Sequence, residues 1–166
     1  MGPDAPVSEP KTPPPVPEAT ADSTERQAMM ALYARATRAE LEAAVERFSP
    51  LPQVRKLRPP EAGLVMVQGR TGGDGAPFNM GEATVTRAAV QLEGGATGVS
   101  YMLGRAPEKA EAAAILDALW QDPALKLAVN DALAPIRRRL AAEEATAAAE
   151  AEATKVNFFT MTRGED

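Results

Sequence analysis

A glycine-rich stretch and three arginines are the residues of this sequence best suited to binding phosphate. The stretch Gly69–Gly75 follows a predicted strand and contains Gly72 and Gly73. The backbone amides of such a loop can form a nest that binds an anion. The stretch matches neither the P-loop nor the dinucleotide-binding pattern, and Pro77 follows where either pattern needs a helix. It therefore either contacts phosphate or is an ordinary flexible loop between two strands.

The three arginines are predicted to lie near one another. Arg87 falls in the middle of a predicted strand, Arg105 ends its partner strand, and Arg70 begins the glycine-rich loop. Three guanidinium groups gathered there would bind a phosphate or the carboxylate of a partner. The alternative is that each arginine pairs with a carboxylate of this chain, for instance Glu82 or Glu108.

The residues that most catalytic mechanisms need are missing. The sequence has no cysteine and no histidine, which excludes thiolate and imidazole metal ligands, cysteine nucleophiles and every triad with a histidine base. Asp117 lies in a predicted helix, where we expect a surface residue rather than a catalytic acid. Because no pair of carboxylates is convincing for acid–base catalysis or a magnesium site, we predict no catalytic residue and no metal site on this chain.

The charge and hydropathy of the chain limit its partners. The 166 residues carry a net charge of −5, whereas nucleic acids and anionic membranes attract positively charged surfaces. No apolar run approaches the ~20 residues needed to cross a bilayer, and the proline-rich N-terminus has no apolar stretch typical of a signal peptide. We therefore expect a cytoplasmic protein without nucleic-acid or membrane partners.

A β-hairpin is predicted to be the central element of the fold. Residue types alternate along Gly81–Leu92 and again along Ala96–Arg105, which is the period of strands with two different faces. Gly94 and Gly95 between these arms supply the positive φ angles of a tight turn. Because an isolated hairpin is only marginally stable, other elements must cover it.

Two further strands are predicted before this hairpin. Val54–Leu57 has the pattern of a short edge strand, Arg58–Gly63 that of a turn, and Leu64–Arg70 is apolar on both faces until its end. We expect the last of these to lie inside the sheet. The connections are too short for crossovers, so the sheet is predicted to be antiparallel, with about four strands between residues 54 and 105.

Two helices are predicted ahead of the sheet. Thr24–Arg35 carries apolar residues at helical spacing, and Thr37 with Glu40 forms a capping box that starts a second helix. The second helix ends before Pro50, because a residue that precedes proline is disfavoured in the α region. We therefore expect a bend near Thr37 between two separate helices.

Further helices are predicted after the sheet. Pro107 suits the first turn of a helix over Pro107–Trp120. A second piece covers about Asp122–Leu133, Pro135 interrupts it, and an alanine- and glutamate-rich helix follows to about residue 154. Arg137–Arg139 would then begin the last helix, where positive charge opposes the helix dipole. We expect that unfavourable arrangement to invite a binding partner.

These elements predict an α+β fold with an N-terminal helical pair, an antiparallel sheet and C-terminal helices. We divide the chain into a leader at residues 1–22, a single domain at residues 23–155 and a docking segment at residues 156–166. The leader is rich in proline and has almost nothing apolar to bury, which is typical of a disordered or polyproline segment.

The C-terminal segment is unusually apolar for a chain end. Phe158 and Phe159 are adjacent, and Met161 and Arg163 follow them. Neighbouring residues of an extended segment point to opposite sides, so the two phenylalanines cannot both face one core unless they are sandwiched. We predict that these four residues dock against a partner subunit. The alternative is that the segment folds back on the sheet of this chain.

Several ordered stretches together resemble the G subunit of the bacterial carbon–phosphorus lyase core complex, the PhnG family. The resemblance extends from the first predicted helix to the end of the chain and omits the proline-rich leader. The stretches that carry it are Glu61–Val65, Gly81–Val90, Gly104–Arg105, Asp117–Leu119 and Val156–Gly164.

The resemblance implies a cytosolic complex with the H, I and J subunits, and with K and L as peripheral partners. In that family the G, H, I and L components are associated with displacement of adenine from MgATP by an alkylphosphonate, which gives a ribose 1-phosphonate 5-triphosphate. The J subunit, which carries an Fe–S cluster and uses S-adenosylmethionine, later cleaves the C–P bond. The resemblance assigns no catalytic residue to the G subunit and no cofactor to this chain alone.

Two functional hypotheses follow. In the first, the chain is a supporting subunit of a phosphonate-metabolising transferase complex and has no complete active site of its own. In the second, Arg70, Arg87, Arg105 or the glycine-rich loop binds nucleotide or phosphonate directly. Substituting Arg87 or Arg105 separates these hypotheses, depending on whether assembly or turnover fails first.

Overall fold

A computed structural model describes residues 21–155 as four helices and one sheet. The elements in chain order are α1 (Ala21–Arg35), α2 (Arg38–Glu46), β1 (Val54–Arg70), β2 (Pro77–Leu92), β3 (Thr97–Leu103), α3 (Pro107–Trp120) and α4 (Lys126–Ala153). The strands form an antiparallel sheet in the order β1-β2-β3. The α+β class and the antiparallel sheet are therefore confirmed. The predicted docking segment lies outside the described residues, as does the predicted leader except for its last two residues, which begin α1.

The sheet has three strands rather than about four because β1 includes both of the strands predicted before the hairpin. The turn predicted at Arg58–Gly63 is wrong, since β1 is one strand of 17 residues. Its register against β2 shifts between Lys56 and Arg58 and again between Arg58 and Glu61. Pro59 and Pro60 lie at these irregularities. An edge strand tolerates proline, which has no N–H, because the outer side of its backbone has no partner strand to bond.

The second half of β1 is also not the buried inner strand that its sequence predicted. β1 lies at the edge of the sheet, and none of its residues is buried. Leu64 is 63% exposed and Met66 is 52% exposed. An apolar run indicates residues that are more stable when buried, but it does not indicate whether the same chain or a partner buries them.

The predicted hairpin is confirmed as β2 and β3. Gln91 pairs with Thr97 next to the turn. Gly94 takes the expected positive φ of 67°, whereas Gly95, also expected to have a positive φ, does not. Thr86, Ala88, Val90 and Leu92 alternate along β2 and are buried. This face of the sheet carries the core, as the alternation predicts.

The central helix is α3, which packs against the core face of the sheet and contacts α1, α2 and α4. Pro107 begins it as predicted. It approaches β3 so closely that a Cβ on Gly98 would lie 1.9 Å from the Ala114 carbonyl oxygen and 2.5 Å from the Ala118 nitrogen. Only glycine fits at that position without moving the helix.

Two short helices precede the sheet, as predicted, and α1 begins three residues earlier than expected, at Ala21. The capping box at the start of α2 is confirmed: the Thr37 side chain accepts from the Glu40 amide, and the Glu40 carboxylate accepts from the Thr37 amide. Both bonds satisfy amides that the first turn of a helix leaves without partners.

The predicted break at Pro135 is wrong, because α4 continues through this residue. A proline within a helix has no N–H for the carbonyl four residues earlier, which here belongs to Asp131. The Arg47 Nη1 group donates to that oxygen over 3.2 Å. Arg137–Arg139 therefore lie within a continuous helix rather than at its start, and the predicted conflict between these arginines and the helix dipole does not arise.

Candidate functional site

The glycine-rich loop forms the far end of the hairpin made by β1 and β2. Arg70 and Pro77 are the last residue pair of the two strands. Gly72 and Gly73 take positive φ angles of 65° and 90°. The Arg70 Nη1 group donates to the Gly75 carbonyl oxygen over 3.1 Å. The Arg70 side chain therefore holds the loop at its base.

Arg87 lies in the middle of β2 and forms an ion pair across the sheet. Its Nε group donates to Glu61 Oε1 on β1 over 2.9 Å. The Tyr101 phenol on β3 and this carboxylate raise the pKa of Arg87 above its usual value. Arg87 thus pairs with a carboxylate of its own chain, although the partner is Glu61 and not Glu82 or Glu108.

Arg105 is exposed in the turn between β3 and α3. Within residues 23–155, no ion pair or side-chain hydrogen bond involves it. The Thr86 hydroxyl anchors this turn, because it donates to the Gly104 carbonyl oxygen over 2.7 Å and accepts from the Ala106 amide over 3.0 Å. The turn is therefore fixed to the sheet while the Arg105 side chain faces solvent.

The structure separates Arg70 from the other two arginines, so the predicted cluster of all three is wrong. Arg70 pairs with Pro77, which lies ten residues along β2 from Arg87. At ~3.3 Å per residue this spacing is roughly 33 Å. Arg105 lies two residues beyond Leu103, whose partner Val85 is eight residues from Pro77. That separation is roughly 25 Å, so one phosphate cannot contact Arg70 together with either of the other two.

Asp117 is fully buried in α3, contrary to the surface position expected for it. Its Oδ1 accepts from Arg26 Nε over 3.0 Å, and its Oδ2 accepts from Arg26 Nη2 over 2.7 Å. Oδ2 also accepts from the Val99 amide over 2.8 Å and from Gln121 Nε2 over 3.3 Å. A carboxylate with these partners joins α1, β3 and α3, and is not accessible to a substrate.

Together, Asp117 and Gln121 close the outer edge of β3. Gln121 Nε2 donates to the Thr97 carbonyl oxygen over 2.9 Å, while Asp117 accepts from the Val99 amide. These main-chain groups point away from β2 and would otherwise pair with a fourth strand. The one signal in the sequence was an aspartate within the apolar run from Ala112 to Trp120, since a buried carboxylate requires donors.

A second ion pair joins α2 to α4. Arg139 Nε donates to Glu40 Oε1 over 2.7 Å, and Nη2 donates to Oε2 over 2.9 Å. These bonds, together with those from Thr37, lower the pKa of Glu40 to about 2. Arg137–Arg139 were expected to invite a binding partner. Arg139 instead pairs with Glu40 of its own chain.

The described part of the chain contains no group of three or more histidine, cysteine, aspartate or glutamate residues that could hold a metal ion. A cleft of about 510 Å³ lies beside Trp120, lined by Glu25, Lys126 and Arg137 among others. The Lys126 ammonium lies 4.3 Å from the centre of the Trp120 ring and also bonds to Glu25. Arg137 donates to Asn130 Oδ1 over 2.9 Å. All three charged groups are therefore already engaged within the chain.

None of the helices that the structure describes is both long enough and apolar enough to span a membrane. The predicted docking residues Phe158, Phe159, Met161 and Arg163 lie outside the described residues, and their role stays a prediction.

Comparison with known proteins places the chain in phosphonate metabolism. The family model described as "Phosphonate metabolism protein PhnG" matches residues 24–164, so the chain belongs to this family and the resemblance is confirmed. A protein of Rhizobium meliloti (strain 1021) is 47% identical over 142 residues, which cover 86% of this chain and 91% of that protein. That relative is named alpha-D-ribose 1-methylphosphonate 5-triphosphate synthase subunit PhnG.

Proposed function

We propose that this chain is the G subunit of a complex that makes α-D-ribose 1-methylphosphonate 5-triphosphate from MgATP and methylphosphonate, with release of adenine. The observation that carries the proposal is the 47% identical relative, which is named as a subunit of this synthase. The alignment covers 86% of this chain and 91% of the relative, so the two proteins share their fold and not only a motif.

The geometry favours a supporting role within that complex. Arg70 and Arg87 are engaged within the chain, and Asp117 is buried among four donor contacts. The sequence has no histidine or cysteine that could act as a base or nucleophile. The chain therefore acts by completing an assembly, while the residues that perform the reaction belong to other subunits.

The partners that we propose are the H, I and J subunits in the core, with K and L at its periphery. MgATP is a substrate of the assembled complex, and this chain binds no cofactor alone. The Fe–S cluster and S-adenosylmethionine belong to the J subunit, which acts later in the pathway. We place the assembly in the cytoplasm, because its substrates MgATP and S-adenosylmethionine are cytoplasmic.

A second role is favoured by one observation, the exposed Arg105 in a turn that Thr86 holds in place. An arginine in a fixed turn, with no ion pair among residues 23–155, has its donors available for a phosphate. In this alternative, Arg105 reaches into the active site of the assembled complex and binds nucleotide or phosphonate.

The test is co-expression of the full chain, tagged at Met1, with the H, I, J and L subunits, followed by an assay of adenine release from MgATP and methylphosphonate. We expect no product from the chain alone and none from the complex that lacks it. Product from either preparation would refute the supporting role.

Arg105→Ala separates the two roles, with Arg138→Ala as the control, because Arg138 is an exposed arginine of α4. A supporting role predicts that both variants assemble and keep at least half of the turnover. A loss of tenfold or more in turnover for Arg105→Ala alone, with normal assembly, would establish the alternative.

A further inference from the structure

The hairpin of β1 and β2 extends well beyond the rest of the sheet. β3 pairs with β2 only over Val85–Gln91. The preceding part of β2, Pro77–Thr84, forms its ladder with Leu64–Arg70 of β1 alone. We call these two segments and the glycine-rich loop between them the hairpin arm. A two-stranded hairpin is at best marginally stable in water by itself, so a surface that covers the arm would stabilise it.

The apolar surface of the described domain is concentrated on this arm. Nine large hydrophobic side chains are exposed among residues 23–155, and five of these belong to the arm. The five are Leu64, Met66, Val67, Phe78 and Met80. A concentration of exposed apolar residues indicates an interaction site, whereas single exposed hydrophobic residues need no explanation.

The apolar residues lie on both faces of the arm. Leu64 pairs with Thr84, which is two residues from the buried Thr86, so Leu64 lies on the helix side of the sheet. Val67 is three residues farther along β1 and lies on the opposite side. Phe78 pairs with Gly69, two residues beyond Val67, and therefore shares the face of Val67.

Gly69 shows how the apolar surface on that second face is built. A Cβ at this position would lie 2.5 Å from Met80 Sδ and 3.7 Å from Phe78 Cε1. The Met80 side chain therefore lies across the glycine, beside the Phe78 ring. The two side chains form a ridge that is present before any partner binds.

The presence of two apolar faces determines what kind of partner fits. The arm is ~23 Å long and ~10 Å wide, so one face offers far less than the about 800 Å² per partner of a standard interface. A second copy paired edge to edge along β1 would satisfy main-chain groups but would leave both faces in water. A groove that surrounds the arm covers the two faces together.

We infer that the hairpin arm inserts into an apolar groove of another subunit of the synthase complex, which contacts both of its faces. This inference rests on the proposed function, because membership of the complex supplies the partner. The glycine-rich loop then enters that subunit first, and its small residues allow the partner backbone to come close.

The test uses the full chain co-expressed with the H, I and J subunits and purified through its own tag. Leu64→Lys places a charge on one face of the arm, and Phe78→Lys places one on the other. Both side chains are exposed, so each variant should melt within ~2 °C of the unmodified chain, as surface substitutions do. We expect each to lose at least tenfold of the recovered partner subunits.

Leu127→Lys is the matched control. Leu127 is 77% exposed and lies on α4, so the same substitution there should leave recovery of the partners unchanged. Normal recovery with both arm variants would overturn the inference. Loss with only one of them would also overturn it, because the partner would then contact a single face.

Experiments on the isolated chain test two alternatives, in which a second copy or the chain's own C-terminal segment covers the arm. Sedimentation should show a monomer, and a dimer that Leu64→Lys dissociates would show that a second copy covers the arm. A chain that ends at Lys155 should show unchanged hydrogen exchange in the arm, whereas faster exchange would show that the chain's own C-terminal segment covers it. Failure of the unmodified chain to recover any partner would refute the proposed function itself.

Discussion

Side chains bond to the main chain of one edge strand of the sheet, β3, and leave the other edge strand, β1, open. At the β3 edge, Asp117 accepts from the Val99 amide and Gln121 donates to the Thr97 carbonyl oxygen. At the β1 edge, no side chain of residues 23–155 bonds to the strand's main chain, and none of its 17 residues is buried. An open edge can accept another chain, whereas an edge closed by side chains cannot.

We call the part of the molecule around the β3 edge the closed side and the part around the β1 edge the open side. The closed side contains Asp117 and its ion pair with Arg26, which joins α3 to α1 beside β3. The open side contains the hairpin arm, with most of the exposed large apolar residues. We therefore expect substitutions on the closed side to affect stability, and those on the open side to affect assembly.

The largest effect is expected from Asp117→Asn. The substitution removes the charge that faces Arg26 and directs an NH₂ group toward donors, which leaves buried groups without acceptors. We expect a loss of about 3 kcal/mol in the free energy of unfolding, and a melting temperature lower by roughly 10 °C. Thermal melting followed by circular dichroism measures both.

Glu61→Gln on the open side is the control for Asp117→Asn. The Glu61–Arg87 pair is about half exposed, and surface pairs contribute less than ~1 kcal/mol. If the two substitutions lowered the melting temperature equally, the distinction between the two edges would fail.

A smaller effect is expected from Gly98→Ala, because the new Cβ would overlap the backbone of α3 at Ala114 and Ala118. We expect about 2 kcal/mol of destabilisation by overpacking, measured by urea unfolding. Gly63→Ala on β1 is the control, since a Cβ there meets nothing within 4 Å, and it should change stability by no more than ~0.5 kcal/mol. A neutral Gly98→Ala variant would show that α3 does not pack so closely on β3.

The smallest effect concerns the pH dependence of stability through Glu40. Its pKa is about 2 in the folded chain against 4.5 ordinarily. A lowered folded-state pKa stabilises the protein above the unfolded-state pKa, and that contribution is lost as the pH falls from 4.5 toward 2. We expect Glu40→Gln to cost about 1 kcal/mol at pH 6 and progressively less at lower pH.

Urea unfolding at several pH values measures the Glu40 effect, with Glu42→Gln as the control. Glu42 forms a longer surface pair with Arg38 at 3.6 Å, so its removal should have little effect throughout. A Glu40→Gln cost that stayed constant from pH 6 to pH 2.5 would contradict the assignment of the Glu40 pKa.

Local signals in the sequence were sufficient for part of the fold. The turn at Gly94, the capping box at Thr37 and the first helical turn at Pro107 each depend on residues close together in the chain, and each was predicted correctly. The course of β1 past Pro59 could not be predicted in this way, because it depends on pairing with a strand that begins only at residue 77.

The same limit explains the incorrect predictions about α4 and the arginines. The helix continues at Pro135 because Arg47, 84 residues before Asp131, donates to the carbonyl oxygen that the proline leaves without a donor. The arginines were expected to cluster because the hairpin was assumed to end near the Arg70 loop, whereas the arm holds that loop far from Arg87. The position of Asp117 likewise depends on Arg26, 91 residues away.

Two ion pairs between distant parts of the chain also have a consequence for the order of folding. The strands pair with their neighbours in sequence, whereas Arg26 meets Asp117 across 91 residues and Glu40 meets Arg139 across 99. Contacts between residues near in sequence close short loops and form quickly, while distant contacts form more slowly. During synthesis, α1 and α2 leave the ribosome first but have to wait for α3 and α4. Pulse-labelling hydrogen exchange should therefore find β2 and β3 protected before the two helices that precede them.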